Sequence, residues 1–237
     1  MAERVTTDQT VFSRSWQTYR KVLDNNYMFH REVYDCLRRV IQARAPTPYR
    51  FLDIACGDSS ASARALVGTA IGYYYGIDLS GQALAIANEE LSVLSCPVRL
   101  DQSDFAIALS DWSKPVDVVW IGQSLHHLQT PEKQQLMRNV RRVLSREGVF
   151  LIWEPTLLDG ENQEGWISRF ESGSRPLWSN LVDEEWNAML SHVRASDHAE
   201  TSDRWHQLGI EAGFRNAAEI YMSPNRLARV YCFDGIN

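Results

Sequence analysis

The 237-residue chain predicts an α/β fold in which a seven-stranded, mostly parallel sheet carries helices on both faces. Two observations predict this class. Short apolar runs alternate with helical segments from residue 50 to residue 154, which is typical of parallel strands joined by crossover helices. The last two apolar runs are separated only by a short turn, and this predicts an antiparallel pair at the edge of the sheet.

The elements follow from the spacing of apolar residues. Val33, Leu37 and Ile41 recur at helical spacing, and the prolines at 46 and 48 end that helix. Strands are then predicted at 50–54, 73–77, 98–100, 116–121 and 149–153, with helices at 59–67, at 82–93 and from residue 130 to a break at 147–148. A last helix ends near residue 213, before strands at 214–221 and 227–233.

Residues 155–203 interrupt this alternation. They contain Trp166, Phe170, Trp178 and Trp186, and their acidic residues outnumber the arginines. We interpret the segment as a helical insertion after the fifth strand that covers a functional site. A solvated surface decoration is the alternative, and the four large aromatic side chains favour a lid or a pocket wall.

The composition of the chain indicates which kinds of partner and which compartment to expect. Net charge is −6, and an excess of acid argues against a nucleic-acid partner, which needs a basic face. No apolar run approaches the roughly 20 residues that span a membrane, and the N-terminus lacks an apolar signal core, so we expect a cytoplasmic protein with no membrane partner. Cys36, Cys56, Cys96 and Cys232 form no CxxC pair, so we expect neither disulfides nor a metal site.

Four stretches with polar or small residues follow four of the predicted strands: FLDIACGDS at 51–59, GIDLS at 76–80, DQSDF at 101–105 and IGQSLHHL at 121–128. Parallel strands bind ligands at their carboxyl ends, so we expect these stretches to share one edge of the sheet. The first runs from a strand through a turn of small residues into a helix, which turns backbone N–H groups towards a ligand. In the second, Asp78 could bind ribose hydroxyls, or Asp78 or Ser80 could simply cap the next helix.

In order and spacing these stretches resemble the motifs of Class I, Rossmann-like, S-adenosylmethionine-dependent methyltransferases of the small-molecule type. The resemblance implies that the strand-borne acid lies near the amino group of the cofactor and that the loop lies near its sulfonium, with later acids on the ribose and the adenine. It carries these roles onto Asp53, Ala55, Gly57, Asp78, Leu79, Asp104, Phe105 and Gln123. Ala55 and Ser59 stand where the glycine-rich form of the loop has glycines.

The resemblance also indicates where the chemistry occurs. A histidine pair after the fourth strand is frequent among small-molecule methyltransferases, and His126 or His127 could take a proton from a hydroxyl or ammonium nucleophile. Either could equally be a packed structural histidine. Some relatives, such as glycine N-methyltransferases, close an arginine and an aromatic over the cofactor carboxylate, a placement similar to that of Arg31 and Tyr19.

We therefore expect a single methyltransferase domain over residues 1–237: a helical lid at 1–45, a cofactor-binding core at 50–154, a substrate-covering insertion at 155–203, and a final helix with two strands at 204–237. The expected reaction moves a methyl group to an O or N nucleophile of a small molecule.

A binding or regulatory module without catalysis is one alternative to this function. A nicotinamide-dependent dehydrogenase is another, although its loop needs three glycines. A base methyltransferase would carry Asn/Asp-Pro-Pro-aromatic where this chain has Gly122-Gln123-Ser124. The oligomeric state stays open.

Overall fold

The computed structural model describes residues 16–110 and 112–236. Residues 1–15, which belong to the expected N-terminal lid, lie outside this part. The helices are α1 (16–24), α2 (His30–Arg44), α3 (Ser60–Leu66), α4 (Gly81–Glu90), α5 (Phe105–Ser110), α6 (Thr130–Val143), α7 (Gln163–Ser174), α8 (Asp183–Ser196) and α9 (Ser202–Ala212). The strands are β1 (Tyr49–Ile54), β2 (Ile71–Asp78), β3 (Val98–Gln102), β4 (Val116–Gly122), β5 (Leu144–Leu157), β6 (Glu200–Thr201), β7 (Phe214–Met222) and β8 (Ala228–Ile236).

The strands form one mostly parallel sheet in the order β3-β2-β1-β4-β5-β8-β7. Strands β1 to β5 are parallel, and β8 runs antiparallel to both of its neighbours, as the closing pair of apolar runs predicted. The predicted seven-stranded sheet is confirmed, with one addition. The two-residue strand β6 pairs with the end of β5 and makes the sheet eight-stranded.

The start of the fifth strand differs from the prediction, because α6 ends at Val143 and not at residues 147–148. Leu144 pairs with Val116, and the register then shifts before Val118 pairs with Val149. Gly148 lies inside this irregular stretch, where a Cβ would be only 2.7 Å from the Leu144 side chain. Glycine is therefore needed for close packing within a strand, and it does not end the helix.

Helices cover both faces of the sheet. On one face, α6 and α9 contribute Leu136, Val140 and Leu208 to an apolar cluster with β4 and β5. On the other face, α2 contributes Val33 and Leu37 to a second cluster. The strand residues between these layers are almost fully buried, as the continuous apolar run of β4 predicted.

Residues 158–199 leave the sheet and form a helical insertion with its own apolar core. Trp166, Phe170, Trp178 and Trp186 meet there, with ring centroids 5.4 to 5.8 Å apart. All four are buried, and Val22 of α1 joins the cluster. The insertion therefore packs on the N-terminal helical segment above the carboxyl ends of the strands. In the described residues, no helix is both long enough and apolar enough to cross a membrane.

Candidate active site

The loop after β1 holds an unusual backbone shape. Ala55, Gly57 and Ser59 have φ values of 54°, 53° and 53°, all in the left-handed region. For the alanine and the serine this conformation costs about 1 kcal/mol each, whereas glycine adopts it freely. A Cβ on Gly57 would meet nothing within 4 Å, so the space above the loop is open. The two departures from the glycine-rich pattern thus keep the backbone shape that glycine favours.

Asp53 lies beneath this loop and is 2% exposed. One of its carboxylate oxygens, Oδ2, accepts hydrogen bonds from Ser62 Oγ at 2.5 Å and from Tyr74 OH at 2.7 Å. Burial raises the pKa of Asp53 to about 7, against the smaller lowering effect of these two bonds. Asp53 therefore supports the loop from below, inside the protein.

The end of β2 is tied to the same loop. Asp78 accepts the Gly57 backbone N–H at 2.8 Å through Oδ2 and the Ser80 N–H at 2.8 Å through Oδ1. Ser80, and not Asp78, caps α4, since its hydroxyl accepts the Ala83 N–H. Leu79 next to it is 66% exposed. Asp78 has acceptor sites left for ligand hydroxyls, and Leu79 offers an apolar face beside them.

The end of β3 places Asp104 and Phe105 at the start of α5. Asp104 Oδ1 accepts the N–H groups of Ala106 and Ile107, at 2.8 and 3.3 Å. Phe105 is half-buried against the core cluster below it. In this structure Oδ1 of Asp104 therefore caps the short helix α5.

The turn after β4 is organised by Glu154, a fully buried carboxylate near the end of β5. Glu154 accepts the backbone N–H groups of Ser124, Leu125 and His126, at 2.9 to 3.2 Å. The same carboxylate lies 2.7 Å from His126 Nδ1. Burial lowers the pKa of His126, but the carboxylates of Glu154 and Asp197 outweigh that effect, and the pKa is raised above its usual value.

His127 has a different environment. Burial, followed by the neighbouring His126 ring, lowers its pKa to about 4. Its Nδ1 is 3.5 Å from Asp197 Oδ1, and His126 Nε2 is 3.7 Å from the same oxygen. The three donor atoms lie within 4.8 Å of one another. These residue types ligate transition metals, and the same three atoms can also surround a single polar atom of a substrate.

One cavity of about 370 Å³ joins the loop after β1 to the histidine turn after β4, and Leu79, Asp104 and Phe105 are not among its lining residues. Of the residues predicted from sequence, six line it, namely Tyr19, Ala55, Gly57, Gln123, His126 and His127. Asp53 lies below the loop and Asp78 beside it. Arg31 is not brought into this cavity. It lines a neighbouring cleft, where it donates to the Asp24 carbonyl at 3.1 Å, because α2 turns its side chain back towards the end of α1.

Sequence reasoning missed two acids of the site. Glu154 had a usable signal, since it is an acid at the end of the apolar run 149–153, as Asp53 is within the first strand. Asp197 had none. It follows α8 in the aperiodic insertion, and only the folded chain carries it to the two histidines. His192 reaches the same cavity from α8, with its ring 5.2 Å from that of His127.

Known proteins similar to this chain include methyltransferases. Residues 52–150 match the family model described as "Methyltransferase domain". Two curated relatives from Yersinia pseudotuberculosis, each a carboxy-S-adenosyl-L-methionine synthase 1, are 25% identical over 116 residues. That match covers 46% of this chain and 46% of each relative, so it spans less than half of their length.

Solved structures match over more of the chain. An O-methyltransferase family protein from Burkholderia thailandensis superposes with a TM-score of 0.66 at 15% identity, covering 90% of this chain and 58% of that one. Magnesium protoporphyrin IX methyltransferase from Synechocystis, solved with bound S-adenosylmethionine, gives 0.61 at 15% identity and covers 95% and 91%. The fold is therefore the Rossmann-like fold of S-adenosylmethionine-dependent methyltransferases. Residues 52–150 of this chain are similar to the methyltransferase domain that the family model describes.

Proposed function

We propose that this chain is a methyltransferase that uses S-adenosylmethionine to methylate an oxygen or nitrogen of a small molecule. The observation that carries the proposal is a single cavity lined both by the loop at 55–57 and by His126, whose ring is held by Glu154. The loop belongs to the cofactor end of this fold. The histidine supplies a proton acceptor at the other end of the same space.

The residues present fit the cofactor. Gly57 leaves open space above the loop, Asp78 keeps free acceptor capacity, and Leu79 is an exposed apolar side chain beside it. We assign the methionine end to residues 55–57 and Gln123, the ribose to Asp78, and the adenine to Leu79, Asp104 and Phe105. When bound, S-adenosylmethionine supplies an activated methyl group on a sulfonium.

The protein supplies orientation and removal of a proton. With Nδ1 donating to Glu154, His126 Nε2 carries the lone pair on the cavity side, where it can accept the proton of the acceptor. We prefer His126 to His127 as the base, because a pKa of about 4 makes His127 a weak proton acceptor. Helices α1 and α2 and the insertion are proposed to form the cover that excludes water.

Calorimetric titration with S-adenosylhomocysteine tests the cofactor site. We expect Asp78→Asn to weaken binding about tenfold or more, since a hydrogen bond to a charged group contributes about 1.5–3 kcal/mol. Its amide oxygen can still accept the Gly57 N–H, but its NH2 group cannot accept the Ser80 N–H, so a thermal unfolding curve checks that the variant is folded. Asp101→Asn is the matched control and should bind as the wild type does, since Asp101 is a half-buried acid of β3 paired with Arg99 of the same strand. A wild-type protein that fails to bind would refute the proposal.

Turnover separates an enzyme from a binding module with the same fold. Small phenols and amines are supplied with S-adenosylmethionine, and S-adenosylhomocysteine is measured as the product. We expect His126→Gln to abolish turnover while cofactor affinity is retained, and His127→Gln to keep most of the turnover. Full activity in a variant that lacks both histidines would remove the assignment of the base.

A further inference from the structure

The part of the cavity beyond the histidines has rigid aromatic walls. Trp166, Phe170 and Trp178 line it from the insertion, and Tyr27 and Trp153 line it from α1–α2 and β5. The walls are held by stacking, with Trp166 on Phe170 at 5.4 Å and Tyr27 on Trp178 at 5.2 Å. The indole N–H of Trp166 is already used by the Leu227 carbonyl, at 3.0 Å. The stacked faces of these two ring pairs therefore present carbon surfaces suited to a flat apolar molecule.

The polar end of the cavity carries an unpaired acceptor. Asp197 is 7% exposed, and its Oδ1 is buried without a hydrogen-bond partner. The nearest imidazole nitrogens, 3.5 and 3.7 Å away, are too far for a direct hydrogen bond. An unpaired buried carboxylate oxygen is destabilising, and a ligand N–H or O–H placed between it and His126 would supply the missing hydrogen bond.

Among the described residues that line the cavity, none is a lysine or an arginine that could balance an anionic ligand. The two histidines at its polar end already lie beside the carboxylates of Glu154 and Asp197. The arginines of the insertion are paired with acids that do not line the cavity: Arg169 with Glu161, Arg175 with Asp183 and Arg194 with Glu171. Glu154 and Asp197 lie at the polar end, so a negative ligand would meet like charge in a buried place.

We propose that the methyl acceptor is a small aromatic molecule that presents an N–H or O–H donor and carries no negative charge. Asp197 is the residue that binds this donor, and the stacked rings of the insertion hold the aromatic plane. This inference rests on the proposed function, since it describes the second ligand of the same site. Asp197 selects by charge, and the walls select by shape.

Binding of matched probes tests the inference without turnover. Tyramine, 4-ethylphenol, 4-hydroxyphenylacetate and 2-cyclohexylethylamine are titrated into the protein with S-adenosylhomocysteine present, and affinity is measured by calorimetry and tryptophan fluorescence. We expect tyramine and 4-ethylphenol to bind at least about tenfold more tightly than the other two. The better of these two indicates whether the donor is an ammonium or a hydroxyl.

The decisive variant is Asp197→Asn, which keeps the shape and removes the charge. It should weaken tyramine about tenfold and reduce the discrimination against 4-hydroxyphenylacetate. Glu171→Gln, on the exposed face of α7, is the control and should change neither. Unchanged S-adenosylhomocysteine affinity shows that the variant is folded.

The inference is overturned if 4-hydroxyphenylacetate binds as tightly as tyramine, if Asp197→Asn leaves the ranking unchanged, or if no aromatic probe binds in the millimolar range. Failure of the proposed function has a different signature. There, S-adenosylhomocysteine itself fails to bind to the wild-type protein, whatever the aromatic probes do.

Discussion

The buried side chain of Glu154 contacts both the backbone of the turn after β4 and the ring of His126. It accepts three successive backbone N–H groups, which orders the turn at 124–126, and it lies against the His126 ring. A buried carboxylate is costly unless its oxygens are hydrogen-bonded, and here they are. Glu154 is thus a positioning residue that sets both the direction and the basicity of the histidine.

Replacement of Glu154 by glutamine should lower the pKa of His126, because the raising effect of the carboxylate is lost. Asp197, Lys133 and His127 also face His126 and remain in place. Proton NMR of the histidine rings measures the pKa directly. The acid limb of the rate profile should move to lower pH in parallel, since the base acts when deprotonated.

Glu147→Gln, an exposed acid on the same strand, is the control for this change. An unaltered His126 titration in Glu154→Gln would contradict the assigned coupling between the two residues.

Asp53→Asn should make stability less dependent on pH. The pKa of Asp53 is raised to about 7 in the fold, so its contribution to stability is full below the unfolded pKa and is lost as pH rises towards 7. Between pH 5 and pH 8 the wild type should lose roughly 2–3 kcal/mol that the variant keeps. Urea unfolding at both pH values, with exposed Asp159→Asn as control, measures the difference. Parallel pH dependence in the two proteins would show that Asp53 is ionised in the fold.

At the scale of elements, one buried ion pair fastens the end of the insertion to α6. Lys133 of α6 is fully buried and contacts Glu200 of β6 at 2.9 Å and the His198 carbonyl. Its ammonium also lies 5.3 Å from the centre of the Trp205 ring. This contact lies next to Asp197, so it fixes the segment that carries the acid into the cavity.

Lys133→Met should destabilise the protein by about 3–5 kcal/mol, because it leaves Glu200 without its partner. Adding Glu200→Gln should restore part of the loss, since the uncompensated charge is then removed. Urea denaturation of the two single variants and the double variant measures this coupling. Strictly additive losses would mean that the pair does not act as a unit.

The sequence predicted helices and strands well where burial of apolar side chains alone decides the element. Apolar runs located β1 and β4 to within one residue at each end, because both strands are buried on both faces of the sheet. The sequence placed the end of α6 too late, since the tight packing of Gly148 on Leu144 is a tertiary effect. Candidate site residues that directly follow a strand could also be predicted, because the strand before each of them was recognisable. Asp197 and His192 could not, because they reach the cavity only through packing of the aperiodic insertion.

For the molecule as a whole, the apolar interior is divided into three clusters. Two lie on the faces of the sheet, and the third, centred on Phe170, Trp178 and Trp186, belongs to the insertion. Units with separate cores open separately in native-state hydrogen exchange. The cover of the cavity is therefore able to loosen while the sheet stays folded.

Trp186→Ala should accelerate amide exchange in α7 and α8 and leave β1 and β4 protected. Truncation of a buried tryptophan costs about 3–5 kcal/mol, and here that cost falls on the insertion. Leu177→Ala, in the same segment but 69% exposed, should have little effect. Equal acceleration across the sheet would show that the insertion and the sheet unfold together.

The third cluster also bears on how such a protein can acquire new substrates. The proposed cofactor residues lie at or just after the ends of the sheet strands, whereas most of the proposed acceptor walls come from residues 158–199. Substitutions that reshape the acceptor pocket should therefore destabilise the insertion and leave the stability of the sheet unchanged. A library confined to the cavity-facing positions Phe170, Trp178 and Met189 can change which ring is accepted, with methyl-donor binding inherited unchanged.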